Sequence, residues 1–295
     1  MPTRKKNQKF TFTKGRKRRR ATRSRARGRQ YGNKRPMAIQ RATAVPKTAM
    51  IKFVIDKTFL YKAPGLPSGS DPMKTGHMDV SCNNLLQPFN TGVSAGTWTA
   101  QEGATTDSVE GLTEWVGSSG GRYQKYMVLG AKIEVNSIAS ADIADPSDTN
   151  PAPYVSNYAI GIHKASTGRS DVTDTTSLPV IQKMPYTRQR NLTGALASSA
   201  RDVVQGGRLS DTYSAKKWEG VTNVKDNEKL HSTVTSSAPG IVAPAEGGKF
   251  QVFIASREPM STGKQVPSQL MRVKVEYVAL LTDPITDDND PMIVK

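Results

Sequence analysis

Cysteine is almost absent from this chain. Cys82 stands alone among 295 residues, which excludes an intramolecular disulfide and any zinc site built from four cysteines or from two cysteines and two histidines. A lone cysteine in such a sequence reads as a small buried hydrophobe rather than a nucleophile. Histidine is nearly as scarce. His77, His163 and His231 have no cysteine or carboxylate neighbours at metal-ligand spacing in the sequence, so no metal and no cofactor is expected. His163 continues the run Tyr158–Ile162 and reads as a structural histidine. The chain lacks GxxxxGKS or GxxxxGKT, GxGxxG after a strand and HExxH, the motifs that cradle phosphates or bind zinc. No catalytic residue emerges, and the chain is not expected to be an enzyme. No apolar run approaches the ~18–20 residues that span a bilayer, and the N-terminus carries no hydrophobic secretory stretch. A membrane partner is not expected, and the triplet Asn191-Leu-Thr193 is expected to carry no glycan.

The most informative absence is acid. No Asp or Glu precedes Asp56, whereas residues 1–41 hold 17 Lys or Arg. With Lys47 and Lys52, 19 of the 42 basic residues lie before Asp56, leaving 23 against all 25 acidic ones. The net charge of +17 is therefore +19 in front of Asp56 and −2 behind it. Such asymmetry marks a polyanion partner for the basic end.

That end has too little to bury. Between Met1 and Arg35 the sizeable apolar groups are Met1, Phe10, Phe12 and Tyr31, which cannot offset ~1–2 kcal/mol of backbone entropy per residue. Residues 1–45 are accordingly expected to form a disordered arm, and 46–295 a single domain. The cations of the arm are the candidate nucleic-acid ligands: Arg4, Lys5, Lys6, Lys9, Lys14, Arg16, Lys17, Arg18, Arg19, Arg20, Arg23, Arg25, Arg27, Arg29, Lys34, Arg35 and Arg41. Six of the seven residues Lys14–Arg20 are cationic, and Arg23, Arg25, Arg27 and Arg29 alternate with small residues. Alternating guanidinium groups on an extended chain reach phosphates on both sides and match their oxygens bidentately. Without a rigid element to read bases, binding would rest on counterion release. The same run fits a nuclear-localisation pattern.

Beyond the arm the apolar pattern has period two. Ile51, Phe53, Ile55, Phe59 and Tyr61 share one face, as do Met127, Leu129, Ala131, Ile133 and Val135, and Tyr158, Ile160 and Ile162. Phe250, Val252 and Ile254 begin another strand. The clearest is the last, in which Met271, Val273, Val275, Tyr277, Ala279 and Leu281 alternate with Arg272, Lys274 and Glu276. Each such run puts one face on a core and leaves the other wet. Weaker strand candidates lie near 77–87, 180–190 and 208–219. Gly- and Pro-rich stretches at 63–72, 142–153, 236–248 and 259–267 read as loops. About eight strands with loops too short for crossover helices predict an all-β antiparallel sandwich or barrel. Leu192, Ala195, Leu196, Ser199, Ala200 and Val203 fall at helical spacing before Gly206-Gly207 and predict a short loop helix. Asp283, Asp287, Asp288 and Asp290 offer oxygen ligands to a hard cation, although a solvated acidic tail explains them more simply.

Three segments carry a family resemblance. Arg122-Tyr-Gln-Lys-Tyr-Met-Val-Leu-Gly-Ala-Lys-Ile-Glu-Val135 resembles a strand motif in coat proteins of circular single-stranded DNA viruses, the circovirus-like group. Tyr213-Ser-Ala-Lys-Lys-Trp-Glu-Gly220 and Tyr277-Val-Ala-Leu-Leu-Thr-Asp-Pro284 are similar to a later Lys-rich segment and to the closing strand of such proteins. Coat proteins of small positive-strand RNA viruses share the same layout. The resemblance implies an eight-stranded antiparallel jelly roll with strands near 50–62, 77–87, 123–137, 155–164, 179–190, 208–219, 248–257 and 270–282. It further implies an icosahedral homo-oligomer of on the order of 60 copies in the smallest shell. The cargo would be a single-stranded viral genome, DNA ahead of RNA, with the protein in the virion and, through host nuclear import receptors, in the nucleus during assembly. A ribosomal or chromatin protein is the main rival, but such proteins spread positive charge over the body, and this body carries −2.

Overall fold

The alternation in the body becomes two antiparallel sheets. The computed structural model describes residues 45–62, 75–91, 96–117, 121–140, 157–166, 171–193, 207–220, 223–234, 240–257, 266 and 268–285. The strands are β1 (Thr48–Lys62), β2 (Gly76–Ser81), β3 (Phe89–Asn90), β4 (Thr97–Ala100), β5 (Tyr123–Ser140) and β6 (Asn157–Ser166). They continue with β7 (Thr187–Thr193), β8 (Arg208–Ser214), β9 (Thr233–Val234), β10 (Ile241–Val242), β11 (Gly248–Ser256) and β12 (Gln269–Pro284). Three single-turn helices, α1 (Leu112–Trp115), α2 (Leu178–Ile181) and α3 (Ala215–Trp218), interrupt the loops. None of the described helices is long and apolar enough to cross a membrane.

One sheet has the order β4-β1-β12-β5-β8 and the other β3-β2-β11-β6-β7. Among the eight long strands, the chain changes sheet at every step except β6 to β7. That interleaving, with all pairs antiparallel, is the double Greek key of a jelly roll. The inward faces close on one core. Phe53, Ile55, Phe59 and Tyr61 of β1, Met271, Val273, Val275, Tyr277, Ala279 and Leu281 of β12, and Phe250, Val252 and Ile254 of β11 are all buried in it. Val275 sits in register between Ile55 and Ile133 with no exposed surface.

A second, smaller cluster lies on the outer face of the β11–β6 pair, where Val172, Leu178 and Ile181 cover Ala159, Phe253 and Ala255. Gly161 makes this possible, because a Cβ there would fall 2.1 Å from the Phe253 ring.

Several expectations need correction. The strand near 179–190 begins only at Thr187, because Pro179 occupies the first turn of α2, where its missing N–H costs nothing. The strand near 77–87 stops at Ser81. There Asn84 Oδ1 accepts from the amides of Leu86 and Gln87 (3.0 and 3.1 Å) and turns the chain. The strand near 208–219 ends at Ser214 and gives way to α3. In β5 the period slips: Val128 is buried while Leu129 is only partly so, since a bulge opposite Val278/Ala279 inserts one residue. The loop helix proposed for 192–203 is displaced at its start, because Leu192 belongs to β7 and pairs with Tyr158. Its remainder, 194–206, lies outside the described residues.

Candidate nucleic-acid interface

All 17 cations proposed as ligands, Arg4 through Arg41, lie outside the described residues. What the structure does place is the start of the body. Tyr123 Oη donates to the Pro46 carbonyl at 3.0 Å, and Thr48 pairs with Thr282. Pro46, at the start of the body, therefore lies where β1 and β5 begin and β12 ends. Two further cations stand at this end. Lys47 is exposed, and the Arg122 guanidinium stacks 4.9 Å from the Trp115 ring centroid. Arg122 was legible only as part of a strand motif; its place at this end depends on the pairing of β5 with β12. Of the acidic cluster, Asp283 is described and forms an ion pair with Lys125 at 2.9 Å, whereas Asp287, Asp288 and Asp290 lie outside the described residues.

The outward face of the first sheet is charged but largely self-neutralised. Lys52 and Lys274 both reach Glu276 at 2.9 Å. Lys132 and Arg208 hold Glu134 at 2.6 and 2.8 Å. Arg272 grips Asp56 with two parallel bonds of 2.8 and 2.5 Å. Hydrogen bonds from Lys52 and Lys274 pull the Glu276 carboxyl down to about 2. Glu276 therefore stays ionised through ordinary acid, and its contribution is lost only as pH falls from the usual carboxylate range towards about 2. Five cations meet three carboxylates on this face, so each of these carboxylates is paired.

The outer face of the second sheet is polar beneath its loop. Lys249 binds Asp79 at 2.6 Å, and Gln251 bridges Asp79 to the backbone of Val172. The buried His163 bonds Thr187 Oγ1 at 2.8 Å and Asp171 at 3.3 Å, the satisfied structural role expected of it. His77 lies 3.8 Å from Asp174. Its burial outweighs Asp79 and Asp174 and lowers its pKa, so it is held neutral. Of these carboxylates, Asp174 comes from the 171–184 segment, far along the chain from His77, a separation that no spacing rule would flag. Among the described residues no three His, Cys, Asp or Glu side chains group as metal ligands. Cys82 is fully buried, and burial pushes its thiol well above its ordinary range, away from the nucleophilic form.

No protein-family model matches the chain, and no curated protein does. Several solved structures are similar to it. Empty-head turnip yellow mosaic virus is 11% identical over 84% of this chain and 88% of that one, with a TM-score of 0.34. Mud crab tombus-like virus is 9% identical over 86% and 100%, with a TM-score of 0.35. The semi-empty virus-like particle of the giant freshwater prawn Macrobrachium rosenbergii nodavirus is 8% identical over 84% and 100%, with a TM-score of 0.36. With TM-scores below 0.5, these similarities assign no function.

Proposed function

We propose that this protein is the coat protein of a small virus. Its jelly-roll body would build an icosahedral shell, and its N-terminal arm would neutralise a packaged single-stranded genome. The observation that carries the proposal is the charge boundary. Residues 1–41 hold 17 cations and no acid, and the jelly roll that follows is near neutral. A cellular nucleic-acid protein would be expected to spread its positive charge over its folded surface, and this body carries −2 instead.

The three segments that resemble circovirus-like coats contain core-facing strand residues, and Ala215–Trp218 of the second forms α3. Tyr123, Tyr126, Ile133, Val135, Tyr213 and Tyr277 are all buried. Their pattern is explained by packing in a jelly roll and has no bearing on cargo, so the circular DNA genome loses its lead. We carry the positive-strand RNA coat as the working reading and leave the nuclear-import role of Lys14–Arg20 out of it.

Contacts made to phosphate predict packaging that is indifferent to sequence. They also predict that binding weakens about a thousandfold or more between roughly 50 and 200 mM salt. Shells reassembled with unrelated single strands of equal length, RNA and DNA, at low and high salt, test this. Salt-resistant packaging or strong preference for one sequence would contradict the arm as the packaging element.

A further inference from the structure

Where β6, the start of β7, β8 and α3 meet, the surface opens into a cleft of about 830 Å3. Tyr186 forms its lip. This tyrosine is 63% exposed and sits at φ +62, a left-handed conformation that glycine adopts freely and a side chain with a Cβ does not. An exposed aromatic held in a disfavoured backbone is the kind of strain that collects at ligand sites. Its ring meets Trp218 edge to face, with centroids 5.3 Å apart and planes at 71°. The Lys164 ammonium stands 5.8 Å from the Tyr186 centroid. Lys164 is fixed from below by buried Asp211 at 3.3 Å and the Thr212 carbonyl at 3.1 Å. Lys217 of α3 also lines the cleft and has no ion-pair partner among the described residues. The acidic group on the lining, Asp171, is engaged by His163.

An exposed aromatic face flanked by Lys164 and Lys217 suits a flat base with a phosphate at its edge, and stacking of this kind tolerates any sequence. A volume of this size lies within the range of small-ligand sites. We propose that the cleft binds a nucleotide of a single strand, with its base against the Tyr186–Trp218 pair and its phosphate towards Lys217. This rests on the reading that single-stranded nucleic acid is the cargo. It adds a site on the folded body to the arm, one that holds the strand by stacking rather than by charge alone.

The test uses the full chain and a short single-stranded oligonucleotide carrying 5-bromouracil. It is irradiated, digested and mapped by mass spectrometry, and tryptophan fluorescence is followed in parallel at molar salt, where phosphate contacts by the arm are weak. Cross-links are expected at Tyr186 or Trp218 as well as in the arm, with quenching that persists in molar salt. Tyr186→Gly removes the ring and suits the positive φ, so the protein should melt no lower than the parent while cross-linking at the cleft falls about tenfold or more. Tyr186→Phe should retain it. Cross-links confined to the arm, or a cleft signal unchanged in Tyr186→Gly, overturn the cleft and leave the cargo reading standing. Absence of cross-links anywhere overturns both.

Discussion

Val275→Asp is expected to abolish soluble, assembled protein. Val275 has no exposed surface and lies between Ile55 and Ile133 in the middle of the first sheet. A carboxylate placed there has no cation within the apolar layer and costs several kcal/mol of stability. A domain stabilised by only ~5–15 kcal/mol has little margin for that. Its thermal midpoint should fall by roughly 10 °C or more, if the protein folds at all. Lys274→Asp, one residue away, is the control. Lys274 points outward, binds Glu276 at 2.9 Å and is aligned with Asp56 and Glu134. Its replacement breaks a surface pair and adds like charge, costing about 1 kcal/mol or less, so the protein should fold. Soluble yield and thermal melts of the two variants decide between them, and equal tolerance would show that the facing of β12 is wrong.

Deleting residues 1–41 is expected to remove nucleic acid while sparing the body. The deletion takes away 17 cations and no acid. The body's core is built from residues at or beyond Phe53, and the Tyr123 bond to Pro46 that fixes the start of β1 remains. The far-ultraviolet circular dichroism and melting temperature should stay close to those of the full chain. The ratio of nucleic-acid to protein absorbance of purified particles should drop to that of protein alone. A melting point lowered by tens of degrees would make the arm a structural element instead.

The fold was legible where burial is one-sided. In β12 every second residue from Met271 to Leu281 is apolar, and every one of these is buried. Legibility failed where a single residue decided the outcome. Leu129 looks like one more inward position, but the bulge in β5 depends on its partner strand, and no local pattern announces it. Pro179 and Asn84 were readable as punctuation, yet the apolar residues around each suggested that a strand would run through them. The basic run of residues 1–41 is read from its contiguous charge alone, and it lies outside the described residues. The Glu276 and Glu134 networks were not legible, since members as distant in sequence as Lys52 and Glu276 meet only through register. Tyr186 offered no signal in one dimension. Its significance is a backbone angle and a neighbour, Trp218, that α3 brings alongside.

The proposed coat protein closes into shells around nucleic acid. Negative-stain electron microscopy of the purified full-length protein, treated with nuclease before imaging, tests this most directly. Uniform closed particles that still yield protected single-stranded nucleic acid on extraction are the predicted result. Monomers or small open oligomers with no protected nucleic acid, at protein concentrations well above those where the body is folded, would contradict it.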